Sequence, residues 1–230
     1  MKQLELNLAD QFEFPFARND SSKPPSGGGP PRSRSRRRDD SKVPANLFLA
    51  LFPDPGTATQ IGKLAAGLRS ANGLTGNPLA NERFHVTVHF FGQFDEIPVE
   101  IVRRARAVSA SVALDSKAFL VTFGRAGSFT GKRDRFPLVL RDHGDDNAPL
   151  VELHRRLGAG LRADGIKNLA SRLTPHVTLL YDRQLVSEQP VEAVRWTATE
   201  VFLIHSHVGQ SRYTILDRWS LQPATSAGSD

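Results

Sequence analysis

The tripeptide His-Val-Thr occurs twice, as His85-Val86-Thr87 and as His176-Val177-Thr178, 91 residues apart and each time inside an apolar, strand-like run. Residues i and i+2 of a strand point to one face. His85 therefore shares a surface with Thr87, and His176 with Thr178, while Val86, Val88, Val177 and Leu179 face the other way and can pack under helices. Each strand then has an apolar back and a front carrying one imidazole and one hydroxyl. Two copies in equivalent settings fit two similar lobes, each a mostly antiparallel sheet backed by helices, facing across a central groove.

The remaining pattern supports that α+β class. Asn46–Phe52 is a short apolar run, followed by Asp54 as a helix cap and Pro55 in the first turn. Ile61, Leu64, Ala65 and Leu68 make one helical face that stops at Asn72-Gly73. Phe84–Phe91 reads as a strand and Pro98–Val112 as a helix, followed by strands at Phe119–Phe123 and Pro137–Arg141. Asp145-Asp146-Asn147 caps a helix with Leu150, Leu153, Leu157 and Leu161 in register, closed by Gly165. His176–Tyr181 is a further strand, and Glu200–Val208 and Arg212–Leu221 flank Gly209-Gln210-Ser211 as a hairpin.

Residues 21–42 hold no large apolar side chain and carry a net charge of +5, against −2 for residues 1–20 and +3 for 43–230. Nothing in 21–42 can offset the entropy of ordering. Residues 1–42 are thus expected to be a disordered tail, 43–222 one bilobal domain, and 223–230 a second tail. The arginines of 32–38 form either a solvated tail or an electrostatic tether to RNA. There is no cysteine, which excludes disulfides, zinc–cysteine sites, iron–sulfur clusters and cysteine nucleophiles. No apolar run is long enough to span a bilayer and no signal peptide is evident, so a cytoplasmic protein without membrane partners is expected.

The stretches LFLALFPDP, RFHVTVHFFG, LTPHVTLLY and FLIHSHVGQSRYTILDRWSL, spread over Leu47 to Leu221, resemble the two-histidine (2H) phosphoesterases. Within that group the likeness is to the RNA 2′,3′-cyclic phosphodiesterases, also called 2′-5′ RNA ligases. The resemblance implies His85 and His176 as catalytic residues, Thr87 and Thr178 as phosphate ligands, and RNA ends or small cyclic nucleotides as substrates. In many relatives an Arg stands where this chain has Tyr181, and Arg183 is the nearest substitute on the same strand face.

Opening a cyclic phosphodiester needs a base for the nucleophile and an acid for the departing oxygen, and imidazole suits both near neutral pH. His176 is assigned to water and His85 to the leaving oxygen, which in the resembling enzymes is the 3′ oxygen. The two Thr hydroxyls would hold the phosphoryl oxygens, so no cofactor and no metal are expected, and two lobes sharing one site let a monomer suffice. By period two His89 falls on the face of His85, as a further groove-lining candidate. Phe129 and Tyr181 can stack a base, and Arg133, beside Lys132 and Arg135, can meet the RNA backbone. His154, next to Arg155 and Arg156, reads as solvated, and His143 as part of a turn. Two rivals remain: an RNA-binding protein that kept the fold without turnover, and a metal hydrolase using His205 and His207.

Overall fold

The run ANLFLAL is apolar on both faces except at Asn46, and it forms strand β1 (Ala45–Leu51), buried along its whole length. The fold is given by a computed structural model that describes residues 44–130, 135–142, 146–207, 210 and 212–224. The expected tail 1–42 and the residues Lys132, Arg133, His143, Asp145, Gly209 and Ser211 lie outside the described residues, as does 225–230 of the expected C-terminal tail. After β1 come α1 (Pro55–Ala71), a 3-10 turn (Asn81–Arg83), β2 (Val86–Phe94), α2 (Val99–Leu114), β3 (Phe119–Ser128) and β4 (Phe136–Arg141). The chain continues with α3 (Ala148–Ala163), β5 (His176–Asp182), β6 (Gln189–Ala198), β7 (Glu200–His207) and β8 (Arg212–Ser220).

The strands make two four-stranded sheets, ordered β2-β1-β7-β8 and β5-β4-β3-β6, with every pairing antiparallel. The first sheet takes its strands from both ends of the fold and the second from the middle, so this α+β architecture interlocks its halves. Both His-Val-Thr strands, β2 and β5, are edge strands, and they touch each other across the junction. One continuous core runs from Leu47, Leu49 and Leu51 of β1 through Leu153 and Leu157 of α3 to Val121 and Phe123 of β3.

Helix α1 starts as expected. The Asp54 carboxylate accepts from Thr57 N at 2.9 Å and from the Thr57 hydroxyl at 2.6 Å, a cap worth about 1 kcal/mol. Gly73, at φ 62°, takes the left-handed conformation that ends the helix. Asn147 departs from expectation. It precedes α3, but its side chain makes no cap bond. Instead it is buried and clamps the β3 backbone, accepting from Thr122 N at 3.0 Å and donating to Thr122 O at 2.8 Å. Strand β6 is one the sequence pattern does not predict. Pro190 and the polar Gln189, Glu192, Arg195 and Thr197 mask it, and an edge position is where a strand tolerates proline.

Candidate active site

Each histidine is fixed by the same short-range bond. His85 stands just before β2 and donates Nδ1–H to the carbonyl of Arg83, two residues back, at 2.7 Å. His176 opens β5 and donates Nδ1–H to the carbonyl of Thr174, also two residues back, at 2.7 Å. A carbonyl can only accept, so each ring carries its neutral-state proton on Nδ1 and keeps the Nε2 lone pair for chemistry.

Both strands then bulge at the same place. In β2, Thr87 pairs with Ala50 and His89 with Leu49, so Val88 is passed over. In β5, Thr178 pairs with Val139 and Leu180 with Leu138, so Leu179 is passed over. A bulge shifts the alternation by one residue. The face that carries histidine and threonine therefore resumes five residues after each histidine, at Phe90 and Tyr181, not at His89 and Leu180.

This corrects the placement of His89. It is 1% exposed, turned into the interior, with its ring stacked on His154 at a centroid distance of 4.1 Å. His154 is likewise not solvated but buried. Arg183 is corrected as well: β5 ends at Asp182, whose buried carboxylate accepts from Thr75 N, Gly76 N and Gln184 N and turns the chain. Arg183 is left exposed beyond the strand end, and it is Arg135 that lies over the Tyr181 ring, 4.9 Å from its centroid.

The two imidazoles have different surroundings. His85 sits among aromatic rings: Phe48 stacked at 5.1 Å, Tyr213 edge-on at 5.5 Å and Phe52 at 5.7 Å. Desolvation pushes its pKa down to about 4, the Arg83 carbonyl opposes this, and charge on His176 and on Arg83 pushes it lower. His176 meets Phe129 edge-on at 5.0 Å and pairs across the ladder with Arg141, whose guanidinium lies 5.2 Å from the Phe129 centroid. Burial and then the Arg141 charge hold His176 below its ordinary value, against the pull of the Thr174 carbonyl. Strands β2 and β5 touch, and charge on His176 disfavours the charged form of His85.

Around these rings stand three arginine–aromatic pairs: Arg83 over Tyr213, Arg135 over Tyr181 and Arg141 over Phe129. The Thr178 hydroxyl is hydrogen-bonded to Tyr181, whose phenol burial holds above its ordinary pKa and thus protonated at neutral pH. Arg83 also bonds Tyr213. Arg141 and Phe52 escape the sequence pattern because folding brings them to the histidines from distant parts of the chain, Arg141 through its pairing with His176. Arg83, two residues before His85, is near in sequence but carries no pattern that marks it. A pocket of about 270 Å³ lies beside Thr87, between β2 and the loop preceding β5, with Phe90, His154, Asn168, Arg172 and Thr174 in its wall.

For the metal reading, His205 and His207 have ring centroids 4.5 Å apart, and His207 Nε2 meets the Thr214 hydroxyl at 3.1 Å. Among the described residues no third His, Asp or Glu joins them to form a metal-holding group. Among the described residues no helix is long and apolar enough to cross a membrane.

Comparison with known proteins finds the same fold. A solved structure described as a phosphoesterase superposes with a TM-score of 0.63 at 22% identity, covering 78% of this chain and 99% of that one. Escherichia coli LigT complexed with 3′-AMP gives 0.61 at 23%, covering 77% and 98%. A protein of Thermus thermophilus gives 0.62 at 20%, covering 77% and 98%. At these identities the likeness is one of fold. No curated protein matches. The model of the 2′-5′ RNA ligase superfamily matches residues 53–210, most of the described fold and both histidine motifs, and the chain belongs to that superfamily.

Proposed function

We propose that the protein hydrolyses 2′,3′-cyclic phosphate ends of RNA to 2′-phosphates without a metal ion. The observation that carries this reading is the pair of imidazoles, each with Nδ1 tied to a carbonyl two residues back and each followed by a same-face threonine. Two such groups supply the base and the acid that an in-line displacement at phosphorus needs, and each proton transfer is worth roughly 10²–10⁴-fold in rate. The threonine hydroxyls would donate to the non-bridging oxygens and hold phosphorus between the rings. The structures of LigT with 3′-AMP and with phosphate support a nucleotide phosphoester as the ligand class.

In the free protein both rings are depressed and therefore neutral at pH 7. An arriving phosphodiester anion offsets part of that desolvation and lets one ring take up a proton. We assign that proton to His85, as donor to the leaving 3′ oxygen. Its apolar setting makes its imidazolium a strong acid but also a scarce one in the free protein, so the bound anion must supply the stabilisation that keeps it charged. His176 then takes the proton from water. Run backwards, the same site joins a 2′,3′-cyclic phosphate to a hydroxyl, a 2′-5′ ligation.

The test is hydrolysis of 2′,3′-cyclic AMP in excess EDTA, with the product resolved as the 2′ or 3′ monophosphate. Turnover to the 2′ isomer unaffected by EDTA is expected. RNA binding with no turnover would favour the non-catalytic alternative, and EDTA inhibition reversed by zinc would favour a metal hydrolase.

A further inference from the structure

In both motifs the bulged residue follows the threonine, and its carbonyl is taken by a donor from another element. Leu179 O accepts the backbone N–H of Leu79 at 2.8 Å. Val88 O accepts a side chain instead, Nδ1–H of His154 on α3, at 2.9 Å. Leu79 belongs to the loop before the first motif. The His154 ring faces the backbone of Ala170 and Ser171, in the loop before the second motif, and forms the pocket wall between β2 and that loop. The same loop runs on to Thr174, whose carbonyl fixes His176. Each bulge is thus strapped toward the opposite motif, and for Thr87 the strap is an imidazole.

The strap is itself held rigidly. His154 is 4% exposed, and its own carbonyl accepts Nε2–H of His89 at 2.9 Å while the two rings stack at an interplanar angle of 18°. Gly158, one turn along α3, makes room for this stack: a Cβ there would meet His89 Cε1 at 3.0 Å and Nε2 at 3.1 Å. A buried carbonyl displaced by a bulge needs a donor, and His154 supplies one from a helix that packs on β2.

We propose that His154 is a positioning residue of the phosphodiester site, setting through the Val88 carbonyl where Thr87 stands relative to His176. The proposal rests on the reading that Thr87 and His176 act on one phosphate. Its effect falls on kcat, since misplacement of a positioned group costs rate more than ground-state binding.

The discriminating pair is His154→Asn and His154→Gln. The asparagine amide nitrogen lies as many bonds from Cα as Nδ1 does, whereas glutamine carries its donor where Nε2 stands. For hydrolysis of 2′,3′-cyclic AMP, H154Q is expected to lower kcat by about tenfold to a hundredfold with KM changed no more than about twofold. H154N should recover most of the loss at a similar melting temperature. Gly158→Ala, which favours the helix but presses on His89, should lower kcat in the same direction. The imidazole ¹⁵N resonances of His85 and His176 are read alongside, and H154Q should shift them where H154N does not. Equal kcat and equal spectra for the asparagine and glutamine variants would overturn the proposal, as would wild-type kcat in G158A. Absence of turnover in the wild type would sink the phosphodiesterase reading alone, and the resonance contrast would still decide the role of His154.

Discussion

The two His-Val-Thr segments match residue for residue in backbone and differ in what surrounds them. Thr87 opposite Ala50 corresponds to Thr178 opposite Val139, the skipped Val88 to Leu179, and Phe90 opposite Phe48 to Tyr181 opposite Pro137. Around His85 the neighbours are rings, Phe48, Phe52 and Tyr213. Around His176 they include the Phe129 ring and the Arg141 guanidinium. Duplicated backbone geometry delivers two imidazoles held by the same Nδ1 bond, and unlike environments then separate their proton affinities, as an acid–base pair requires.

The largest effects come from removing either imidazole. His85→Ala and His176→Ala should each cost about 10²- to 10⁴-fold in kcat for 2′,3′-cyclic AMP. The comparison sharpens with an activated diester whose leaving group is p-nitrophenolate and needs no acid. On that substrate H85A should recover a large share of its loss and H176A should not. The opposite pattern would exchange the roles of acid and base, and equal behaviour would mean that the environments do not divide the labour.

Smaller losses are expected at the hydroxyls. Thr87→Val and Thr178→Val should each lower kcat/KM by roughly tenfold to several hundredfold, the range for loss of one preorganised donor. Because the Thr178 hydroxyl bonds Tyr181, T178V with Tyr181→Phe should be less than additive, while T87V with Y181F should be additive. A double-mutant cycle on kcat/KM measures the difference.

These comparisons also show where sequence reading stops. Apart from β6, the strand–helix order is legible, as are the Asp54 cap, the Gly73 and Gly165 stops and the pairing of histidine with threonine, because each depends on residues close together along the chain. The errors at His89 and Arg183 have different origins: β5 ends at Asp182, one residue short of Arg183, whereas His89 is turned inward by the bulge in β2. Period two holds only while the ladder is unbroken, and nothing in VTVHF or VTLLY announces the skipped Val88 or Leu179. His154 misleads because flanking arginines describe the helix surface, whereas the ring belongs to the face that packs on β2. Arg141 has no signal at all: its place beside His176 follows from the β4–β5 register.

Arg141 offers a milder way to break the comparison. Its charge helps hold His176 below the ordinary histidine value, although Glu188 at 2.9 Å shares that charge. Arg141→Gln should therefore raise the His176 pKa and move the acidic limb of the kcat/KM profile to higher pH, since the base must be neutral. The His85 resonance, followed by NMR titration, should move much less. A shift of both by the same amount would show that Arg141 acts on the whole site and not on one half.

The smallest effect concerns the interior, where His89 of the first motif stands in the place of Leu180 of the second. Burial, then the His154 charge, push His89 down to about 4 against the pull of the His154 carbonyl, and its Nδ1 has no partner. Folded His89 is thus neutral, while in the unfolded chain it takes up a proton below about 6.5. Between those values the unfolded state binds more protons, so stability must fall as pH drops from about 6.5 to about 4, by on the order of 2–3 kcal/mol from this residue. His89→Leu makes the first motif resemble the second and removes that loss. Urea unfolding at pH 7 and pH 4.5 should show a smaller drop for the variant, even if it starts lower at pH 7 for want of the bond to the His154 carbonyl. An undiminished drop would assign the acid sensitivity to His85, His154 and His176, whose pKa values are also depressed, and would mean that the buried stack tolerates a proton as readily as the unfolded chain does.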